Sequence, residues 1–275
     1  NLPGRQDELV ERVLAVAPDA VVVLNTGSVV LVPWAEQARA VLQVWFGGEE
    51  MADGLVDVLL GDAEPGGRLP TTVPVRLEHN PSHGNFPAEN GRTVYGERMF
   101  VGYRWYEERR LPVAFPFGHG LSYTRFELGA PVCSSASVRV GEGVVVDVPV
   151  TNVGDRRGSE VVQLYVGCDR PLLARPPKEL RAFARITLDP GETGSVRFEL
   201  DDRAFAYWQP GDPDADRFAE LLATQVAWVR PPSGLGRTRG WTVDAGVHRL
   251  HVGRSSAAID HVVEVEVVDG GTVVG

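Results

Sequence analysis

Lysine is all but missing from this chain, and cysteine and methionine are scarce. Lys178 is the single lysine among 27 Lys and Arg residues, so arginine supplies nearly all the positive charge, a usage that fits a GC-rich bacterial source. Two cysteines, Cys133 and Cys168, are too few for a zinc knuckle. They are either free thiols or one disulfide, which leaves the redox compartment open. No apolar run approaches the about 20 residues of a transmembrane helix. The start, Asn1-Leu2-Pro3-Gly4, lacks the basic-then-apolar pattern of a signal peptide. It also lacks an initiator methionine and reads as a cut inside a larger protein, so localisation, secreted or cytoplasmic, stays open. An excess of basic charge is lacking as well. The formal net charge is −10, which does not suit a nucleic-acid backbone or an anionic membrane; it suits a neutral substrate or no substrate at all, and solubility is the plainer reason for it.

Several reaction classes lose their motifs. There is no Gly-x-Ser-x-Gly elbow for a serine hydrolase. Gly47-Gly48 follows an apolar run as a phosphate loop would, but it lacks the Gly-Lys-Ser/Thr ending, and Glu49 and Glu50 would repel phosphate. His79 and His83 have no further ligand pattern around them, and His248 and His251 fall in an alternating segment that turns them to opposite faces. No metal and no cofactor is expected.

What remains is a chain of 275 residues, 43% hydrophobic, long enough for two domains. Its first part alternates helix and strand. Leu9, Val10, Val13, Leu14 and Val16 predict a helix over Arg5–Ala17. Ala20–Leu24 and Ala40–Trp45 read as strands buried on both faces, and Glu49-Glu50 opens a helix carrying Met51, Leu55, Val58 and Leu59. Repeated strand–helix units predict an α/β sandwich-type domain with a mostly parallel sheet. From Gly61 to Pro131 prolines break every long element, yet Tyr95, Phe100, Tyr103, Trp105, Tyr106, Phe115 and Phe117 argue against disorder; an ordered irregular wrap is expected. Beyond that the period becomes two. Alternation in Val144–Val150, Glu160–Val166, Val196–Leu200, around Leu250 and Val252, and in Val263–Val267 predicts an all-β sandwich. The expected domains are 1–130 and 131–275, the second with an insertion at about 209–240 that holds a short helix at Phe218–Val229.

In parallel sheets ligands sit beyond the carboxyl ends of the strands. Asn25, Trp45 and Phe46 stand at such ends and are the candidate substrate-cleft residues, together with Glu97, which lies among aromatics. Trp34 and Trp105 are further rings able to stack on a sugar. The plainer expectation for Glu97 is a structural ion pair with Arg98 or Arg104.

An ordered set of segments resembles family 3 glycoside hydrolases. These are Leu2–Val10, Val21–Ser28, Trp45-Phe46-Gly47-Gly48-Glu49-Glu50, Pro65-Gly66-Gly67-Arg68-Leu69-Pro70, Tyr95–Tyr106 and Phe115–Thr124, the last resembling the family's interdomain signature. In the β part, Val150–Gly154, Glu160–Val166 and Pro177-Lys178-Glu179-Leu180 are similar to the fibronectin type III-like (immunoglobulin-like) domain that follows in the family. Gly47-Gly48-Glu49 departs from the more usual Pro-Gly-Gln. The resemblance implies a retaining exo-acting β-glycosidase, most of all a β-glucosidase acting on terminal β-D-glucosides. It implies an N-terminal TIM-barrel portion as partner, with the nucleophilic Asp on that barrel. The acid/base Glu is expected just upstream of the Leu2-Pro3-Gly4 helix start. No catalytic residue is therefore assigned in this chain, which alone is expected to be inactive. The alternative is a non-catalytic carbohydrate-binding or scaffold module, and a homo-oligomer is also open.

Overall fold

In the computed structural model, residues 1–211 and 239–273 are described. The predicted insertion, with its Phe218–Val229 helix, lies outside them from 212 to 238.

The N-terminal part is built on one parallel strand pair. Helix α1 (Gln6–Val16) leads into β1 (Val21–Leu24), which pairs in parallel with β2 (Ala40–Gln43) in the register Val21↔Ala40 to Leu24↔Gln43. Parallel strands need a long crossover. Residues 25–39 supply it with one 3₁₀ turn, Ala35–Gln37, next to Trp34. The Trp34 ring is fully buried, and its indole N–H donates to Asp7 Oδ1 on α1 at 3.0 Å. Trp34 is thus the centre of a small core with Leu2, Leu14, Leu24, Val32 and Val73, not a sugar platform. Helix α2 (Met51–Leu60) follows and stops at Gly61, whose φ of 84° forms the left-handed cap.

The mostly parallel sheet expected here reduces to that single pair. The next pair, β3 (Val73–Pro74) with β4 (Val113–Phe115), is antiparallel. Burial on both faces fails too: Val21 is 46% exposed, and on the helices Val16 is 84% and Leu60 74% exposed. An apolar run records that a strand needs cover; it does not say which segment provides it. Between α2 and β4 runs an irregular stretch that contains α3 (Tyr103–Glu108); Tyr106 in it is buried, while Phe86 and Tyr95 are 76% and 77% exposed.

The second part is a sandwich. Its strands are β5 (Phe126–Leu128), β6 (Val132–Cys133), β7 (Ser137–Val138), β8 (Val144–Asn152), β9 (Gly158–Cys168), β10 (Glu179–Leu188) and β11 (Thr193–Leu200). After the short helix α4 (Asp202–Phe205) come β12 (Tyr207–Gln209), β13 (Gly240–Val243), β14 (Gly246–Gly253), β15 (Ile259–Val267) and β16 (Gly271–Thr272). One sheet runs β10-β9-β14-β15-β7, the other β11-β8-β5 with β6 also on β8; β12-β13-β16 form a small third sheet. Pairing is antiparallel except for β15 with β7. Because β5 already pairs with β8, strand pairing starts the sandwich ahead of residue 131.

Alternation sets the core. Val144, Val146, Val148 and Val150 of β8 are fully buried and share one cluster with Val162, Leu164, Leu250, Val252 and Val265. Each such side chain contributes about 1.5–3 kcal/mol by leaving water. His248 lies on the Leu250–Val252 face, fully buried, its Nδ1 3.2 Å from the Gly246 carbonyl. Burial lowers its pKa. Cys133 and Cys168 are both free thiols.

Candidate functional site

The two halves meet along β9 and β10 and at the turn that follows β14. Tyr103 of α3 stacks on Phe117 (centroids 4.8 Å apart) and meets Tyr165 of β9 edge-on at 5.7 Å. Its hydroxyl accepts from Leu180 N–H at 2.7 Å. Glu64 reaches across, taking the Ser159 N–H at 2.6 Å and the Ser122 hydroxyl. Arg68 pairs with Glu160 at 2.5 Å, both side chains below a tenth exposed.

The Phe115–Thr124 segment explains its own glycines. Gly118 has φ 79°, and a Cβ there would collide with the Gln163 amide, which donates to the Gly118 carbonyl at 3.0 Å. Gly120 faces the carbonyl of Gly67 with no room for a Cβ, and the backbone of Leu69 exchanges hydrogen bonds with Gly118 and His119 at 2.8 Å. This segment is a packed joint and holds no reactive group in a cleft.

At the carboxyl ends of β1 and β2 the structure brings three candidates to one edge. Asn25 follows β1 and is exposed, while the chain leaves β2 through Val44, whose N–H donates to Leu24 O at 3.0 Å. Gln43 Nε2 donates to Thr26 Oγ1 at 3.2 Å. Trp45 then adopts φ 54°, a left-handed conformation rare for a bulky side chain, and Phe46 is 87% exposed. Gly47 packs against Met51, where a Cβ would collide. This edge presents amide and hydroxyl groups beside two aromatic rings, a combination able to hydrogen-bond and stack on a neutral polyhydroxyl ligand. The carboxylates next to it in sequence, Glu49 and Glu50, are exposed in the turn that opens α2.

Glu97 is elsewhere. It lines a recess of about 320 Å³ with Trp105, Glu108 and Arg109, whose lining includes none of the other three candidates. The expected ion pair is not its contact: Glu97 accepts from the Asn85 amide at 2.7 Å, while Arg104 turns to Glu179 at 3.3 Å. The Trp105 indole donates to His79 O at 3.0 Å, and Arg109 lies 4.8 Å over its ring. Among the described residues no group of three His, Cys, Asp or Glu side chains is placed to hold a metal, and no helix is long and apolar enough to cross a membrane.

One charged pair escaped the sequence reading. Lys178 Nζ stands 2.6 Å from Glu107 Oε2 at the domain joint. Burial raises the Glu107 pKa, with Lys178 opposing it. The available signals were the isolation of Lys178 as sole lysine and the helical spacing of Tyr103, Tyr106 and Glu107 on one face.

Comparison with known proteins bears on the whole chain. The glycosyl hydrolase family 3 C-terminal domain matches residues 1–123, and the fibronectin type III-like domain matches residues 160–216. The β-glucosidase of Rhizobium radiobacter is 47% identical over 222 residues, covering 79% of this chain and 27% of that protein. Thermostable β-glucosidase B of Acetivibrio thermocellus is 40% identical over 259 residues, 94% of this chain and 31% of that protein. Similar proteins come from fungi as well as bacteria. The crystal structure of the Kluyveromyces marxianus β-glucosidase superposes with a TM-score of 0.85 at 38% identity, over 99% of this chain and 29% of that one. The chain spans about a third of the length of the curated relatives it matches. By these matches, and by the joint and sandwich described above, it belongs to glycoside hydrolase family 3 and corresponds to the family's C-terminal domain followed by its fibronectin type III-like domain.

Proposed function

We propose that this chain works as part of a retaining exo-acting β-glucosidase that hydrolyses terminal β-D-glucosides, supplying one cleft wall and the domain that braces it. The observation that carries this reading is the near-complete coverage of the chain by β-glucosidases, each of which is about three times as long. Retaining hydrolysis needs two carboxyl groups about 5–5.5 Å apart. By this reading the nucleophilic Asp belongs to an N-terminal TIM-barrel portion and the acid/base Glu to the segment just upstream of the Leu2-Pro3-Gly4 helix start. In this reading Asn25, Trp45 and Phe46 border the glucoside, and Glu97 lies on the rim. The domains divide near 130, and the source is bacterial, in keeping with the arginine-for-lysine usage.

The exposed apolar residues support a partner portion. Val21 and Val23 of β1, Val16 of α1 and Leu60 of α2 are uncovered. Strands of the partner portion would extend the parallel pair into the mostly parallel sheet. The test is assembly: the 275-residue chain alone should leave an aryl β-glucoside intact, and joining it to a family 3 barrel portion should give hydrolysis with retention. Hydrolysis by the isolated chain, or none after a demonstrated assembly, would overturn the reading.

A further inference from the structure

Helix α2 joins two regions already described, the domain joint at its C-terminal end and the strand-end edge at its N-terminal end. None of its 10 residues is buried, although most helices in proteins are held by packing an apolar face. Its polar ties gather at the C-terminal end. The Tyr123 hydroxyl donates to the Val58 carbonyl at 2.6 Å, and Arg156 Nη2 donates to the Gly61 carbonyl at 2.7 Å. The Arg156 guanidinium also lies 5.4 Å over the Tyr123 ring. Carbonyls at a helix C-terminus lack intrahelical donors, and a cation there complements the helix dipole. The last turn of α2 has no basic residue of its own. Arg156, from the turn between β8 and β9, supplies the charge.

At the other end Met51, the first residue of α2, packs so closely on Gly47 that a Cβ on that glycine would collide with it. Glu50, which precedes Met51, makes no side-chain cap hydrogen bond. Gly47 directly follows Trp45-Phe46 in the chain. The helix spans about 15 Å at 1.5 Å per residue, and a regular element of that length moves as a body. A shift of its C-terminal end at the joint therefore reaches the two rings. Misplacement by about 1 Å at a reacting site costs up to about 100-fold in rate.

We infer that Tyr123 and Arg156 are positioning residues for the strand-end edge. They hold α2 by its C-terminal carbonyls, and α2, through Met51, holds Gly47 and with it Trp45 and Phe46. The joint thereby sets a surface about 15 Å away. That this surface meets a glucoside rests on the function proposed above; that the joint sets it does not.

Met51 and Met99 are the two methionines of the chain. Labelling with ¹³C-methyl methionine therefore gives two signals, assigned with Met99→Leu. Tyr123→Phe, which keeps the ring, and Arg156→Gln should each shift the Met51 signal and leave that of Met99 in place. Arg156→Lys, which keeps a cation and a donor, should return Met51 to the parent position. In the assembled enzyme Tyr123→Phe and Arg156→Gln should raise KM for an aryl β-glucoside about threefold with kcat little changed, the pattern of lost binding, and Arg156→Lys should restore it. A Met51 signal that neither variant moves, or one that moves only together with Met99 as in general loosening, would overturn the positioning. A moved Met51 signal with KM unchanged upholds the positioning and counts against this edge as the border of the glucoside.

Discussion

The side-chain amide of Gln163, on β9, donates to the carbonyl of Gly118 at 3.0 Å and to that of Arg254 at 2.7 Å. One residue of the sandwich thereby ties down the segment entering it and a loop within it. The Tyr165 hydroxyl completes the knot by donating to Gln163 Oε1 at 2.5 Å.

Gly118→Ala is the first consequence. The substitution places a Cβ at φ 79° and against the Gln163 amide, and backbone strain alone costs about 1–3 kcal/mol. The thermal midpoint of the Gly118→Ala chain should fall by about 2–12 °C, at the 2–4 °C per kcal/mol of a chain this long. A Gln163→Ala background should recover the steric share of that loss and not the backbone share. Equal losses in both backgrounds would show that the amide is not what the new methyl meets.

The buried Arg68–Glu160 pair should respond asymmetrically. Removing Arg68 alone leaves a carboxylate below a tenth exposed without its cation, at a cost of about 3–5 kcal/mol. Replacing both by apolar residues, Arg68→Met with Glu160→Leu, leaves no buried charge and should cost much less than Arg68→Ala. Denaturant unfolding of the three variants measures this, and a double variant as unstable as Arg68→Ala would refute it.

Acidification should loosen the sandwich through its histidines. Burial, and next the charges of Lys178 and Arg249, lowers the His251 pKa from 6.5 to about 4, and burial also lowers that of His248. Below pH 6.5 the unfolded chain takes up protons that the folded chain refuses, so this contribution is fully present above 6.5 and is lost as pH falls towards 4. Glu107 acts with the opposite sign, since its raised pKa makes its protonation favour the folded state. Thermal midpoints between pH 7 and pH 4 should decline less steeply for His251→Gln than for the parent. Parallel curves would exclude His251 as a source of the decline.

The exposed apolar residues separate stability from assembly. Leu60→Asp, at a side chain 74% exposed, should change the stability of the 275-residue chain by less than about 0.5 kcal/mol. If the proposed partner portion covers α2, the same variant should weaken assembly with that portion, as a mixing and size-exclusion experiment would read. Unimpaired assembly would show that α2 stays in water.

How far the sequence reveals this molecule depends on whether the information is local. Alternating valines announced β8 because one face of that strand meets the core at every second residue. Strand β10 went unannounced, since its half-buried positions include Arg181, Ala182 and Ala184 in place of alternating large apolar residues. The parallel sheet was over-read from apolar runs whose cover is not local. At the site, strand ends located Asn25, Trp45 and Phe46, but nothing near Glu97 in sequence identified Asn85 as its partner. The Glu107–Lys178 pair joins residues from separate halves of the chain, and the sole lysine and the helical spacing around Glu107 do not say that the two meet.

Trp45 combines backbone strain with partial exposure at the edge where the parallel strands end. Its φ of 54° puts Cβ against its own backbone, a cost of about 1–2 kcal/mol that glycine avoids. Trp45→Ala keeps that cost and removes the ring; Trp45→Gly removes both. Because both variants lack the ring, the difference between them reads the backbone strain alone, and Trp45→Gly should be more stable than Trp45→Ala by about 1 kcal/mol. In the assembled enzyme both should raise KM for an aryl β-glucoside several-fold. Denaturation midpoints and steady-state kinetics on the same two proteins decide the matter: a KM equal to the parent's would remove Trp45 from the substrate edge, and a Trp45→Gly variant no more stable than Trp45→Ala would deny the strain.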